Sequence, residues 1–252
     1  MADYNPNRKE SWNYGGKNWK LSRSKIGLFL ECPRCFFIDN KLGTKRTGFP
    51  SFMINNAVDH QLKKEFDVHR AKDTQHPLQK KYGIDVVPAQ HEKIDEWREN
   101  FKGVQFFHES TGMTISGAID DLWINKQGEH IVVDYKATAN NQPVEELKDD
   151  SIYHDGYKRQ MEVYQWLLRS NGLKVSNTSY FVYCTGIMDQ EAFDGKIEFD
   201  VHLIPYEGDD SWVEPTILEI KECLESNKIP SSGHNCEYCA FFNARAQHEN
   251  KK

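Results

Sequence analysis

Two aspartates and a lysine are the residues of this sequence best suited to chemistry. Asp120 lies in one predicted β-strand, and Asp134 and Lys136 lie in the next, within Val132-Val133-Asp134-Tyr135-Lys136. Because a strand alternates its side chains between two faces, Asp134 and Lys136 share a face. A carboxylate that binds a small cation such as Mg²⁺ would then stand beside an ammonium group that can orient or deprotonate a water, or neutralise phosphoryl charge. The pattern indicates metal-assisted phosphoryl chemistry, although a lone Asp-x-Lys at a strand end is more often a surface ion pair.

The register of the hairpin between these two strands decides whether the aspartates meet. A three-residue loop, residues 126–128, would join the strands, with Gly128 in the left-handed conformation that such loops need. Counting back along both strands places Asp120 opposite Asp134. Opposed residues have Cβ atoms roughly 4.5–5.5 Å apart, and two like charges at that distance require a cation between them. A loop one residue shorter would instead place Asp121 opposite Asp134.

Three further polar residues lie in predicted helices. Gln160 and Tyr164 are four residues apart and therefore share one helix face. His60 carries an imidazole that could bind a metal ion. Taken alone, each has a plainer interpretation, namely an ordinary polar helix face for the pair and an exposed or hydrogen-bonded histidine for His60.

Four of the six cysteines form two pairs of identical spacing, Cys32-Pro-Arg-Cys35 and Cys236-Glu-Tyr-Cys239. In a reducing compartment such pairs indicate metal binding more often than disulfides. Two Cys-x-x-Cys units supply the four thiolates of a tetrahedral zinc site or of an iron–sulfur cluster. A shared metal would join the N- and C-terminal segments of the chain; the alternative is two unrelated pairs of buried thiols.

The composition allows a folded protein that binds nucleic acid through a local surface. The net charge is -6, from 32 Lys and Arg against 38 Asp and Glu, which does not favour a phosphate-rich partner overall. Residues 8–46, however, hold ten basic and three acidic residues, a balance that also fits a solvated surface. No apolar stretch approaches the roughly 18 residues that span a bilayer, so we expect no membrane association and a cytoplasmic location.

Hydrophobic periodicity predicts a single domain over residues 21–242, between a polar leader, residues 1–20, and a polar tail, residues 243–252. Helices are predicted over residues 22–37 with a break near Pro33, and over residues 52–70, 89–100, 152–170 and 211–226. Strands are predicted over residues 104–107, 114–124, 130–137, 178–185 and 196–204.

Four segments, in their order along the chain, resemble the motifs of the PD-(D/E)XK nuclease superfamily, specifically its RecB-like branch, which includes the CRISPR-associated RecB-like exonucleases. Leu21-Ser22-x-Ser24 followed by Cys32-Pro33-Arg34 is similar to the first helix of that branch. Gly117-Ala118-Ile119-Asp120 is similar to its G-x-x-D strand, Val133-Asp134-Tyr135-Lys136 to its D/E-x-K strand, and Gln160-x-x-x-Tyr164 to its Q-x-x-x-Y helix. The joint order is far more specific than any one motif.

This resemblance implies an α/β fold with a restriction-endonuclease-like core, in which helices flank a central mixed β-sheet. It also implies a site for Mg²⁺ or Mn²⁺, with His60, Asp120, Asp134 and the Tyr135 carbonyl as ligands. Lys136 would be the catalytic lysine, and Gln160 and Tyr164 would contact the DNA backbone and steady the lysine-bearing strand. Asn55-Asn56-Ala57 precedes the histidine, where the family usually has a small residue and glycine.

The activity implied is a metal-dependent DNA nuclease, most similar to exonucleases that act on DNA ends or single strands. Such enzymes work in DNA repair, recombination or CRISPR-type DNA processing, and a helicase or another recombination or CRISPR protein would be the expected partner. The alternative is a catalytically idle DNA-binding or assembly module on a nuclease fold.

The resemblance also bears on the cysteines, because several family members carry a [4Fe-4S] cluster held by one early and three late cysteines. This chain departs from that pattern, since Cys35 is added and the expected last cysteine after Cys239 is absent. The two-plus-two set of Cys32, Cys35, Cys236 and Cys239 still favours a [4Fe-4S] cluster, with structural Zn²⁺ as the alternative.

Overall fold

The computed structural model describes residues 6–48, 53–148 and 151–249. The chain divides into two compact units. The central unit consists of Ser51–Phe106 and Ser116–Asp210, and the terminal unit consists of Met1–Pro50, Phe107–Ile115 and Ser211–Lys252. All the predicted residues of the phosphoryl site fall in the central unit, and the four paired cysteines fall in the terminal unit.

The helices and strands, in chain order, have the following bounds. The strands are β1 Leu21–Ser22, β2 Val86–Pro88, β3 Val104–His108, β4 Met113–Gly117, β5 Asp121–Asn125, β6 His130–Asn140, β7 Thr178–Ile187 and β8 Phe199–Glu207. The helices are α1 Arg23–Glu31, α2 Pro33–Asn40, α3 Met53–Lys72, α4 Pro77–Lys81, α5 Ile94–Trp97, α6 Ile152–Ser170, α7 Val213–Glu225 and α8 Glu237–Glu249. A 3₁₀ turn, Glu10–Trp12, lies in the predicted leader.

A five-stranded mixed sheet of order β2-β5-β6-β7-β8 forms the centre of the central unit. The pair β6–β7 is parallel, whereas the pairs β2–β5, β5–β6 and β7–β8 are antiparallel. Parallel neighbours need a crossover connection, and α6 lies in the connection between β6 and β7. The predicted α/β fold with a central mixed sheet is therefore confirmed.

Helices cover both faces of β6, which explains why its sequence is apolar almost without interruption. On one face, Val133 and Tyr135 belong to the buried core that includes Phe66 of α3. On the other face, Asp134 accepts a hydrogen bond from Gln160 of α6. The strand's alternation thus divides its residues between a core that packs against α3 and a polar site beneath α6.

In the terminal unit, α1, α2 and α7 pack against one another. Their apolar side chains, including Ile26, Phe36 and Ile220, are fully buried. The predicted break near Pro33 is confirmed: α1 ends at Glu31, and Pro33 takes the first position of α2, where its missing N–H costs no helical hydrogen bond. The sheet order of the three remaining strands is β1-β4-β3.

Three of the predicted elements are wrong in extent. The strand predicted over residues 114–124 is two strands, β4 and β5, which belong to different sheets and are separated by a bend at residues 118–120. The helix predicted over residues 89–100 is limited to α5, because the backbone N–H of Ala89 donates to the Leu122 carbonyl and so extends the β2 ladder. The strand predicted over residues 196–204 runs from Phe199 to Glu207.

Part of the predicted polar tail is helical. Residues 243–249 of the predicted tail lie in α8, which the sequence analysis does not predict. Residues 1–5 of the predicted leader and residues 250–252 of the predicted tail lie outside the described residues, as does Phe52 at the predicted start of α3. None of the described helices combines the length and the apolar character that crossing a membrane requires.

Candidate functional site

The hairpin register brings Asp120 and Asp134 together. Asp121 pairs with Val133, and the pairing continues to the turn, where Gly128 has a φ of 73°. Continued one step beyond the paired residues, this register places Asp120 opposite Asp134, as the loop length predicts. Asp120 lies in the bend before β5, and its Oδ2 accepts a hydrogen bond of 3.0 Å from the Tyr135 backbone N–H.

Asp134 is fully buried and is held by residues from α6. Its Oδ1 accepts a 2.6 Å hydrogen bond from Nε2 of Gln160, which also donates to the Tyr164 hydroxyl over 3.1 Å. Gln160 is 8% exposed and Tyr164 is 3% exposed, so both face the interior. The structure thus joins the predicted Q-x-x-x-Y pair to the predicted carboxylate through direct hydrogen bonds.

Gly117, the first residue of the G-x-x-D segment, is required by the close approach of Tyr164. A Cβ at Gly117 would lie 2.7 Å from Cε1 of that ring, too close for a backbone-anchored atom and a buried ring. We expect Gly117→Ala to displace Tyr164 and, through Gln160, to disorder Asp134. The expected result is at least a tenfold loss of any metal-dependent activity, in the range of a perturbed outer-shell contact of about 10- to 100-fold. Gly27→Ala is a control for inserting a methyl group, since Gly27 lies within helix α1 and its Cβ would meet nothing within 4 Å.

Lys136 forms an ion pair with Oδ2 of Asp134, and its ammonium lies 4.5 Å from the centre of the Tyr157 ring. Burial alone would lower the pKa of Lys136, but the carboxylates of Asp134 and Asp120 raise it above its ordinary value. The lysine is therefore charged at neutral pH and is suited to bind an anionic oxygen. Because folding raises the pKa of Lys136, its ion pair stabilises the folded state throughout the neutral pH range. This stabilisation is lost only as pH rises through the raised pKa. Tyr157 is a contact that the sequence analysis does not identify.

Helix α3 presents Asp59 and Lys63 to the site, while His60 is exposed. Nζ of Lys63 lies 2.9 Å from Oδ2 of Asp59 and 3.6 Å from Oδ1 of Asp120. Burial and the nearby charge of Asp120 raise the pKa of Asp59. Of the predicted site residues, His60 is the one that the structure does not bring into contact with the others.

Asp121, the neighbour of Asp120, belongs to a buried network that the sequence analysis does not identify. Its Oδ1 accepts from the guanidinium groups of Arg70 and Arg98, and its Oδ2 accepts from the Tyr135 hydroxyl over 2.7 Å. Two cations and a hydroxyl satisfy this fully buried carboxylate, as a buried charge requires. Asp121 is thereby committed to structure, whereas Asp120 faces the site.

The donor set fits a small, oxygen-binding divalent cation. Three carboxylates lie in one region, those of Asp59, Asp120 and Asp134. Two lysine ammonium groups form ion pairs with them. Mg²⁺ and Mn²⁺ prefer carboxylate, carbonyl and water oxygens. A cavity of about 110 Å³ opens at this point, and its lining includes Asp59, Lys136 and Tyr157.

The two cysteine pairs converge on one centre in the terminal unit. The Sγ atoms of Cys32, Cys35, Cys236 and Cys239 all lie within 4.8 Å of one another. Three of the separations are 3.8 Å for Cys32–Cys239, 3.7 Å for Cys35–Cys236 and 3.5 Å for Cys35–Cys239. The cysteine cluster is therefore a candidate metal centre, as predicted from the paired spacing.

Donors around the cysteine cluster stabilise negative sulfur. The backbone N–H groups of Gly233 and Cys35 donate to Cys32 Sγ over 3.2 and 3.4 Å. Burial alone would raise the pKa of Cys32, but these donors lower it to about 6, so a thiolate is present at neutral pH. Burial and the neighbouring thiols raise the pKa of Cys239, because several negative sulfurs cannot share this space without a cation.

Comparison with known proteins identifies the family. The crystal structure of SSO0001 aligns with 94% of this chain and 86% of its own, at 14% sequence identity and a TM-score of 0.42. Curated proteins give no match. A family model described as the PD-(D/E)XK nuclease superfamily matches residues 53–244, which include Asp120, the Asp134-Tyr135-Lys136 segment, Gln160 and Tyr164. The chain belongs to the PD-(D/E)XK nuclease superfamily.

Proposed function

We propose that this chain is a divalent-metal-dependent DNA nuclease that hydrolyses phosphodiester bonds. The observation that supports this most directly is the meeting of Asp120 and Asp134 across the hairpin, with the charged Lys136 beside them. Two facing carboxylates and an ammonium group provide places for a cation and for an anionic phosphoryl oxygen within one site. Membership of a nuclease superfamily supports the same conclusion.

The proposed ligands of Mg²⁺ or Mn²⁺ are the carboxylates of Asp120 and Asp134 and the backbone carbonyl of Tyr135. The family implies one further ligand from α3, at the position of His60. When bound, the ion would supply Lewis-acid stabilisation of negative charge on the phosphoryl oxygens. Lys136 stays protonated, and its ammonium group donates a hydrogen bond to a phosphate oxygen. The negative charge that develops on that oxygen in the transition state strengthens the contact.

Gln160 and Tyr164 have a positioning role in this proposal. Nε2 of Gln160 fixes the orientation of the Asp134 carboxylate, and it also donates to the Tyr164 hydroxyl. The family implies two roles for this pair, steadying the lysine-bearing strand and contacting the DNA backbone. The burial of both side chains supports the first role more than the second. A carboxylate held in one orientation loses less entropy when it binds a cation or substrate.

The narrower form of the proposal is an exonuclease that acts on DNA ends or single strands in repair, recombination or CRISPR-type processing. Its support is the resemblance of the ordered motifs to the RecB-like branch. A helicase or another recombination or CRISPR protein is the corresponding partner.

A nuclease assay on end-labelled DNA tests the proposal. Single-stranded and double-stranded substrates would be incubated with Mg²⁺, with Mn²⁺ or with a chelator, alongside RNA of the same sequence. We expect metal-dependent cleavage of DNA, with progressive shortening from an end if the narrower form is right. Saturable DNA binding without hydrolysis under either metal would favour the idle DNA-binding module instead.

For the cysteine cluster we propose a single tetrahedral ion, zinc, with the [4Fe-4S] cluster favoured by the sequence now the alternative. Four thiolates around one ion at a Zn–S distance of about 2.3 Å stand about 3.8 Å apart, which is the range of the three sulfur separations given above. A four-iron cluster binds each cysteine to a different iron, so its thiolates stand farther apart. The compact arrangement of the sulfurs therefore supports zinc.

Metal analysis of anaerobically purified protein separates these two cofactors. We expect a colourless protein that contains one zinc per chain and releases it when the thiols are modified. A brown preparation that contains iron and acid-labile sulfide, and bleaches with a reductant, would contradict zinc and restore the iron–sulfur cluster.

A further inference from the structure

We infer that Asp59, rather than its neighbour His60, is the residue of α3 that binds the divalent cation of the central unit. The inference deepens the proposed function and rests on it, because it concerns the same cation site. It differs from the ligand set implied by the family, which assigns the helix position to His60. Its evidence is the rotational position of α3, the placement of Lys63 and the lining of the adjacent cavity.

The rotational position of α3 is fixed by contacts along one side of the helix. Consecutive residues of an α-helix differ by about 100° around its axis, so Asp59 and His60 cannot face the same direction. Phe66 is fully buried in the core beneath the sheet, and Leu62 and Val58 pack against that core. These contacts turn Asp59 towards the sheet and leave His60 exposed to solvent.

Asn55 ties the first turn of α3 to the strand that carries the site. Its Nδ2 donates a 3.0 Å hydrogen bond to the backbone carbonyl of Ala137, the residue after Lys136. Asn55 and Asp59 are four residues apart and so share the helix face that meets β6. Both residues line the cavity of about 110 Å³, together with Lys136 and Tyr157.

The position of the Lys63 ammonium group indicates where a metal cation would bind. Its ammonium group lies 2.9 Å from the Asp59 carboxylate and 3.6 Å from the Asp120 carboxylate, so one cation bridges acids from two separate elements. Asp120 is in turn the residue that faces Asp134 across the hairpin. A divalent cation held by Asp120 would attract the same Asp59 carboxylate and would compete with Lys63 for it.

Equilibrium binding of Mn²⁺ to the full chain, with its cysteine metal in place and without DNA, tests the inference by calorimetry or by the spin signal of free Mn²⁺. Asp59→Asn should weaken Mn²⁺ binding by at least about tenfold, since even outer-shell changes cost about 10- to 100-fold. His60→Asn should leave it close to wild type. Lys63→Met should tighten it, because the variant removes the competing ammonium. Thermal unfolding of each variant confirms the fold.

The outcomes distinguish this inference from the proposed function. A loss in His60→Asn that equals or exceeds the loss in Asp59→Asn would overturn the assignment of Asp59, as would an unchanged affinity in Asp59→Asn. Weaker binding in Lys63→Met would contradict the competition. Asp134→Asn serves as the reference for the whole site. If Mn²⁺ binding depends on Asp59 and Asp134 but DNA is never cleaved, the nuclease proposal fails while the cation site stands.

Discussion

Lys136→Ala is expected to abolish DNA cleavage, with a fall in kcat on the order of 10³-fold, the upper range for losing one preorganised charge-stabilising donor. The ammonium of Lys136 is held by the Asp134 carboxylate and the ring of Tyr157, so its charge is already in position when substrate binds. Single-turnover cleavage of end-labelled DNA measures this loss. Lys174→Ala is a matched control, since Lys174 also pairs with an acid, Glu129, but on the exposed surface of the central unit.

Lys136→Ala is also expected to destabilise the folded protein, and this effect must be separated from the loss of catalysis. Removing the lysine leaves the fully buried carboxylate of Asp134 without its counter-charge, and breaking such a pair costs about 3–5 kcal/mol. The double variant Asp134→Asn with Lys136→Ala removes that charge and should recover much of the stability without recovering cleavage. Wild-type cleavage rates in Lys136→Ala would contradict the proposed role of the lysine.

Cys236→Ser is expected to lower the thermal stability of the chain strongly, because the ligands of a structural metal contribute folding free energy directly. A loss of several kcal/mol corresponds to a fall in Tm of roughly 10 °C at about 2–4 °C per kcal/mol for a chain of this size. Differential scanning calorimetry and metal content would be measured together. The metal should be lost in the same variant that loses stability.

Cys223→Ser is the control for this substitution. Cys223 lies in α7 of the same terminal unit but is not one of the four clustered cysteines. We expect its variant to keep both the metal and the wild-type Tm. Equal stability of Cys236→Ser and wild type would show that the cysteine cluster contributes nothing to folding.

The sequence predicts that Asp120 and Asp134 face each other because this arrangement depends on local geometry. Gly128 closes a short turn, and strand alternation then carries the register back to Asp120 and Asp134 without any knowledge of the rest of the fold. The bend that separates β4 from β5 leaves the paired residues of this count unchanged, since it ends at Asp120, just before Asp121 pairs with Val133. The prediction of one long strand is wrong there, yet the register derived from the loop is right.

The remaining parts of the site depend on contacts between elements far apart in sequence. Nothing near His60 reveals that Phe66 will fix the rotation of α3 and turn Asp59 to the sheet. Likewise, strand alternation separates Asp120 from Asp121, but it does not reveal that Arg70 and Arg98 pair with Asp121. The contact between Tyr157 and Lys136 could not be predicted for the same reason, because it requires α6 to pack on the sheet.

The separation between the two cysteine pairs has a consequence for how the protein is made. Cys32 and Cys35 leave the ribosome well before Cys236 and Cys239 are added. The tetrathiolate set cannot be complete until Cys239 has been added, and a product that stops before Cys236 lacks half of it. Metal retention is therefore a marker that a chain has been synthesised through Cys239.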